Sequence, residues 1–218
     1  MKAVYVLSLI CILLTACGGS STAIPTSTES PIVLPTSTQT LTPVPPPTNT
    51  LEPTVTLAPT IDPNAHPIFQ AGSLTSGYGM GVNSSGGLTN WLTVTKEEMC
   101  MAYPDGQDWG AVFITVGEPQ DPPMASQDLS EYKRLSIEIR GEKGSETVLV
   151  GVKDITQPNN GSETKIRTPS LTTDWSTVEF SLAEFIGADI SRLYVVTEFV
   201  FEKNIAESIC VRNIQFVR

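Results

Sequence analysis

The stretch Leu135-Ser-Ile-Glu-Ile-Arg140 decides the fold. Successive side chains of an extended chain point to opposite sides, so Leu135, Ile137 and Ile139 share one face and Ser136, Glu138 and Arg140 the other. That alternation marks a strand with one face on a core and one in water. Gly141-Glu-Lys-Gly144 ends it with turn residues and turns the chain into a second strand, Thr147-Val-Leu-Val-Gly-Val-Lys153. The pattern predicts further strands at 99–103, 110–116, 163–167, 175–182, 193–201 and 208–216. Leu193-Tyr-Val-Val-Thr-Glu-Phe-Val-Phe201 is apolar on both faces except at Thr197 and Glu198, which predicts a central strand. Helix is confined to single turns at 128–132, 182–185 and 189–192. Short strands at regular spacing with Gly, Pro and Asn in the turns predict an all-β domain, a jelly-roll β-sandwich, over residues 66–218.

The chain ahead of that domain reads in two parts. Lys2, then an apolar run from Val4 to Leu14, then small residues, is the order of a secretory signal over residues 1–16. The run is too short to cross about 30 Å of hydrocarbon as a helix. Leu14-Thr15-Ala16-Cys17 resembles the lipobox of bacterial lipoproteins, in which the Cys is lipidated and becomes the new N-terminus. The resemblance implies a protein held in the cell envelope by lipid on Cys17, facing the exterior or the periplasm, with no other membrane contact. An ordinary signal cut near Ala16, with an incidental thiol at Cys17, is the alternative. Residues 17–65 are dominated by Thr, Pro and Ser, with Pro25-Thr-Ser-Thr-Glu29 echoed by Pro35-Thr-Ser-Thr-Gln39. Proline fixes φ and lacks a donor, and the few apolar residues cannot offset the entropy of ordering, so a disordered linker is predicted. Extended as polyproline II, roughly 48 residues reach up to about 150 Å, enough for a stalk.

Composition narrows the partners. Removing Lys2 with the signal and Glu29, Glu52 and Asp62 with the linker leaves 12 basic and 20 acidic residues, a net charge of −8 on the domain. That sign argues against nucleic acid and against an anionic membrane surface. Cys11 leaves with the signal and Cys17 carries lipid, so Cys100 and Cys210 remain, in strands. In an oxidising exterior they either pair, closing a loop of about 109 residues and contributing about 4–5 kcal/mol in the chain-entropy account, or stay buried as free thiols.

A family resemblance follows from four segments. Asp128-Leu-Ser-Glu-Tyr-Lys-Arg-Leu-Ser-Ile-Glu-Ile-Arg-Gly141, Val150-Gly-Val-Lys-Asp154, Asp174-Trp-Ser-Thr-Val-Glu-Phe-Ser-Leu182 and Val211-Arg-Asn-Ile-Gln-Phe216 together resemble carbohydrate-binding modules of the galactose-binding-like jelly-roll fold. The likeness runs from about Phe69 to Phe216 and implies sugar binding. Arg212 stands where the closing strand of such modules often has an Asp that helps hold a structural calcium, which puts a metal there in doubt.

Catalytic chemistry finds little support. His66, the sole histidine, lies at the linker boundary, which removes Ser-His-Asp, Cys-His and His-based metal sites from the fold. Gly77-Tyr-Gly-Met-Gly81 lacks a following helix and reads as a turn. Paired carboxylates remain open, since Asp105, Asp108, Glu138, Asp154, Glu163 and Glu198 are available to a glycoside hydrolase, which needs two of them about 5–9 Å apart. Asp154-Ile-Thr-Gln-Pro-Asn-Asn-Gly-Ser-Glu163 is oxygen-rich, so a structural calcium is possible there, although Asn-Asn-Gly is equally good turn chemistry.

Sugar binding needs rings to stack on and planar polar groups for the hydroxyls. Tyr103 and Trp109 flank the polar turn Pro104-Asp-Gly-Gln-Asp108, and Tyr194 and Glu198 are an even number of residues apart in one strand. Arg140 and Lys153 end neighbouring predicted strands. The candidate site is therefore Tyr103, Trp109, Arg140, Lys153, Tyr194 and Glu198, with Trp175 assigned to the core. Glu198 could equally form a buried ion pair with Arg140 or Lys153. The reading is a monomeric lipoprotein displaying a non-catalytic module for a polysaccharide or glycan. A structural or adhesive envelope domain is the alternative, and a small hydrolase a lesser one.

Overall fold

A computed structural model describes residues 64–119, 124–202 and 205–218. The signal, Cys17 and nearly all of the linker lie outside them. Twelve strands follow in chain order. β1 is His66–Gln70, β2 Ser73–Leu74, β3 Tyr78–Ser84, β4 Leu92–Val94, β5 Met99–Tyr103 and β6 Trp109–Val116. β7 is Arg134–Gly141, β8 Leu149–Asp154, β9 Lys165–Arg167, β10 Ser176–Ser181, β11 Leu193–Glu202 and β12 Glu207–Val217. Two turns of 3-10 helix, Leu182–Glu184 and Ile190–Arg192, fall where single turns were expected. At 128–132 only a turn forms.

The strands make two sheets. One has seven strands, in the order β10-β7-β12-β1-β2, with β5 also pairing β12 and β4 pairing β5. The other has five, in the order β3-β6-β11-β8-β9. β11 is central, as its two-sided apolar pattern predicts. The core between the sheets takes Leu135, Ile137 and Ile139 from β7 and Ile209, Val211, Ile214 and Phe216 from β12. Facing them are Val112 and Ile114 of β6, Val150 and Val152 of β8, and Phe199 and Phe201 of β11. This is the jelly-roll β-sandwich.

Two local expectations are corrected. Gly77–Gly81 is not only a turn: from Tyr78 onward it is β3, an edge strand whose glycines admit close neighbours. A Cβ on Gly79 would lie 2.5 Å from the Gly117 carbonyl oxygen, and one on Gly81 would lie 2.4 Å from the ring of Phe113. The turn after Arg140 does not make a hairpin either. β7 pairs β10 and β12, whereas β8 pairs β11 and β9, so the chain from 142 to 148 crosses between sheets. Glu146 holds that crossing, its buried carboxylate accepting from the Glu142 and Lys143 amides at 3.0 and 2.6 Å. On the outside of the seven-stranded sheet, Cys100 and Cys210 are cross-strand partners, 4.1 Å apart at Cα, and are joined by a disulfide.

Candidate functional site

The outer face of the five-stranded sheet follows from its register. Trp109 is paired with Glu202. The next row runs Asn83, Ala111, Val200, Leu149, Arg167 across β3, β6, β11, β8 and β9. The row beyond runs Gly81, Phe113, Glu198, Gly151, Lys165, and a last one contains Gly79, Thr115, Val195 and Lys153. The last row is closed over: Thr115 is buried with its hydroxyl on the Gly117 carbonyl, the 117–119 segment packs on Gly79, and Val195 and Lys153 are buried. The first rows stay open. Trp109 is 41 % exposed and Asn83 is exposed, while Phe113, Val200 and Leu149 are half-buried. The result is an apolar trough along β6 with Trp109 at one end, small Ala111 in the middle and Phe113 at the other. Four residues of strand separate the two rings by about 13 Å. An Arg167–Glu202 ion pair at 2.7 Å borders it.

The candidate residues divide. Trp109, Lys153 and Glu198 share this face. Tyr194 is also on β11 but is 5 % exposed, so its ring is not an open platform. Tyr103 is a core residue, 2 % exposed, stacked on Phe201 at 5.1 Å and edge-on to Trp91 at 5.6 Å. Its hydroxyl donates to the Gln107 carbonyl at 2.8 Å, and Gly110 leaves it room. Arg140 stands on the other sheet, bonded to Glu98 at 3.2 Å. Trp175 is not in the core: half-buried at the start of β10, it carries the guanidinium of Arg140 at 5.0 Å and that of Arg212 at 4.6 Å from its ring centre. Phe113 was missed by the sequence reading. The signal was there, because Phe113 has the parity of Trp109 on the same strand.

Glu198 has an unforeseen neighbour. Its carboxyl lies beside that of Glu163, and burial first, then the Glu163 charge, pushes it up to about 7. Glu163 pairs with Lys165 at 2.5 Å, and its donors, Lys165 first, hold it below the usual carboxylate range although burial opposes them. Both side chains are buried, so this pair is closed to the sugar that a glycosidic acid–base pair must straddle.

Protein donors engage several oxygens in and around the 155–164 loop. Asp154 accepts from the Thr156 and Asp189 amides at 2.7 and 2.9 Å. Asn159 Oδ1 accepts from Lys153 Nζ at 2.5 Å, and the Gly161 carbonyl from Lys165 Nζ at 2.8 Å. Two lysine ammonium groups thus occupy oxygen acceptors of the loop. Glu98 lies near the two cysteines, but their sulfurs are bonded to each other and its carboxylate holds Arg140, so that cluster is no metal site.

Comparison with known proteins completes the picture. The sequence model of the family described as carbohydrate binding domain 30 matches residues 79–218. Two solved structures described as crystal structures of a family 30 carbohydrate-binding module are similar at 20 % and 19 % identity, each with a TM-score of 0.50. They cover 70 % of this chain and 87 % and 98 % of their own. No curated protein matches the chain.

Proposed function

The chain belongs to the carbohydrate binding domain 30 family, and from that premise we propose that it binds a polysaccharide, without cleaving it, along the trough on β6. The observation that carries this is the exposed ring of Trp109 in line with the half-buried ring of Phe113 on one strand face, with Ala111 between them. Rings so placed stack against the C–H faces of successive sugars, and Asn83, Arg167 and Glu202 at the margins supply donors and acceptors for hydroxyls. A flat, apolar-floored trough suits a ribbon-like β-1,4-linked pyranose chain. We further propose that lipid on Cys17 anchors the mature protein in the cell envelope, that the Thr/Pro-rich segment projects the module outward, and that it acts as a monomer. The Leu14-Thr15-Ala16-Cys17 sequence supports the anchor.

Affinity electrophoresis of the full-length chain in gels containing hydroxyethylcellulose tests the binding site. Retardation that Trp109→Ala and Phe113→Ala both abolish, with circular dichroism unchanged, is the expected result. Retardation unaffected by either variant would move the site elsewhere. Incorporation of a labelled fatty acid, lost in Cys17→Ser, tests the anchor.

A further inference from the structure

Glu198 sits mid-strand on the trough face, 7 % exposed, with Phe113 as its partner in β6 and Gly151 in β8. A Cβ on Gly151 would lie 2.4 Å from Glu198 Oε1, so the carboxyl lies across the β8 backbone. On that side lies Glu163, next to last in the 155–164 loop, its side chain 4 % exposed and bonded to Lys165, the β9 partner of Gly151. Glu198 Oε1 and Glu163 Oε2 are both buried, and neither has a hydrogen-bond partner among the described residues. Ionised carboxylates only accept, so two of them set against each other away from water are an unmet demand for a proton. One proton between them satisfies both.

The surrounding charges are consistent with this. Lys165, on β9, is bonded to Glu163 at 2.5 Å and keeps that partner the ionised one. Lys153, on β8, faces Glu198, but its Nζ donates to Asn159 Oδ1. From β6, uncharged Phe113 is the register partner of Glu198. The loop carrying Asn159, Gly161 and Glu163 is otherwise exposed from 158 to 162.

We propose that Glu163 and Glu198 hold one shared proton in weakly acidic solution, and that this proton pins the 155–164 loop to the sheet as a pH-dependent wall beside the β6 trough. Loss of the proton sets carboxylate against carboxylate, Glu198 parts from Glu163, and the loop keeps its lysine ties and the Thr164 bond to the Ile186 carbonyl at 2.7 Å. The high value burial imposes on Glu198 agrees with this. The role of the wall in binding rests on the polysaccharide reading; the shared proton does not.

Carboxyl carbon NMR of the full-length chain across the pH range, with amide-exchange protection of 155–164 measured alongside, tests the pair. Glu198 should titrate roughly two pH units above an ordinary glutamate, and loop protection should fall about tenfold through the same range. In Glu163→Gln the side-chain amide donates to an ionised Glu198. The Glu198 midpoint then drops to the ordinary range or below, and the loop stays protected throughout. Glu198→Gln should likewise keep the loop closed, which covers the case of one variant failing to fold. An ordinary midpoint for Glu198 in the unmodified chain, or protection indifferent to pH, overturns the proposal. Hydroxyethylcellulose affinity should weaken about tenfold from about pH 5.5 to 8.5, and pH-independent affinity overturns the wall. Titration and loop release as expected, with no retardation at any pH, would instead overturn the polysaccharide reading and leave the shared proton standing.

Discussion

Phe113 closes over Gly81: a Cβ on that glycine would stand 2.4 Å from the tip of the ring. An edge-strand glycine thus fixes where one end of the trough lies. Gly81→Ala should swing Phe113 off β3 at a cost of about 0.5–1.5 kcal/mol, with polysaccharide retention falling more than stability does. Thermal melts beside affinity gels check this. Unchanged retention would show that the ring position is immaterial.

The two kinds of aromatic residue should behave oppositely. Trp109→Ala should weaken binding by about 2 kcal/mol, roughly 30-fold, with little loss of stability, as expected for a ring that anchors a ligand. Tyr103→Ala should cost about 3–5 kcal/mol of stability, because it empties a stacked core position. Tyr103→Phe should cost about 1 kcal/mol, the lost hydroxyl bond to Gln107, and leave affinity unchanged. Isothermal titration and chemical denaturation separate these effects.

Arg140→Ala should leave affinity unaltered, since Arg140 is on the seven-stranded sheet with Glu98 and Trp175. A loss of binding without a loss of stability would relocate the ligand to that sheet.

The disulfide closes a separation of 110 residues. In the chain-entropy account its removal costs about 4–5 kcal/mol, and the melting temperature of Cys100→Ser with Cys210→Ser should fall on the order of 10 °C. Calorimetry with and without reductant gives the value.

Stability should vary with pH in a direction set by Glu198. Its folded value, about 7, lies above the 4.5 of a free glutamate, so the folded state binds the extra proton. That contribution is complete below about 4.5 and is lost as pH rises through about 7, on the order of 3 kcal/mol at most. Glu163, Glu146 and Asp154 are held low, so their contribution is lost instead as pH falls below the ordinary carboxylate range. Urea titrations should show stability falling from about pH 4.5 to 7, and Glu198→Gln should flatten that slope.

Alternation in Leu135–Arg140 and the two-sided apolar run of β11 were enough to specify strands, a sandwich and the central place of β11, because burial depends on period and composition that the sequence displays directly. Trp109 was legible for the same reason, as a large ring after a polar turn. The sequence could not say that Tyr103 turns inward, that Arg140 and Lys153 part company, or that Glu163 comes to Glu198. Those facts depend on which strands pair. Sheet membership is settled by the packing of whole strands against one another, and the crossing of the chain after Arg140 put two neighbouring strands in different sheets. Tertiary structure alone brought a loop glutamate onto a mid-strand glutamate, and burial away from water made that contact demand a proton.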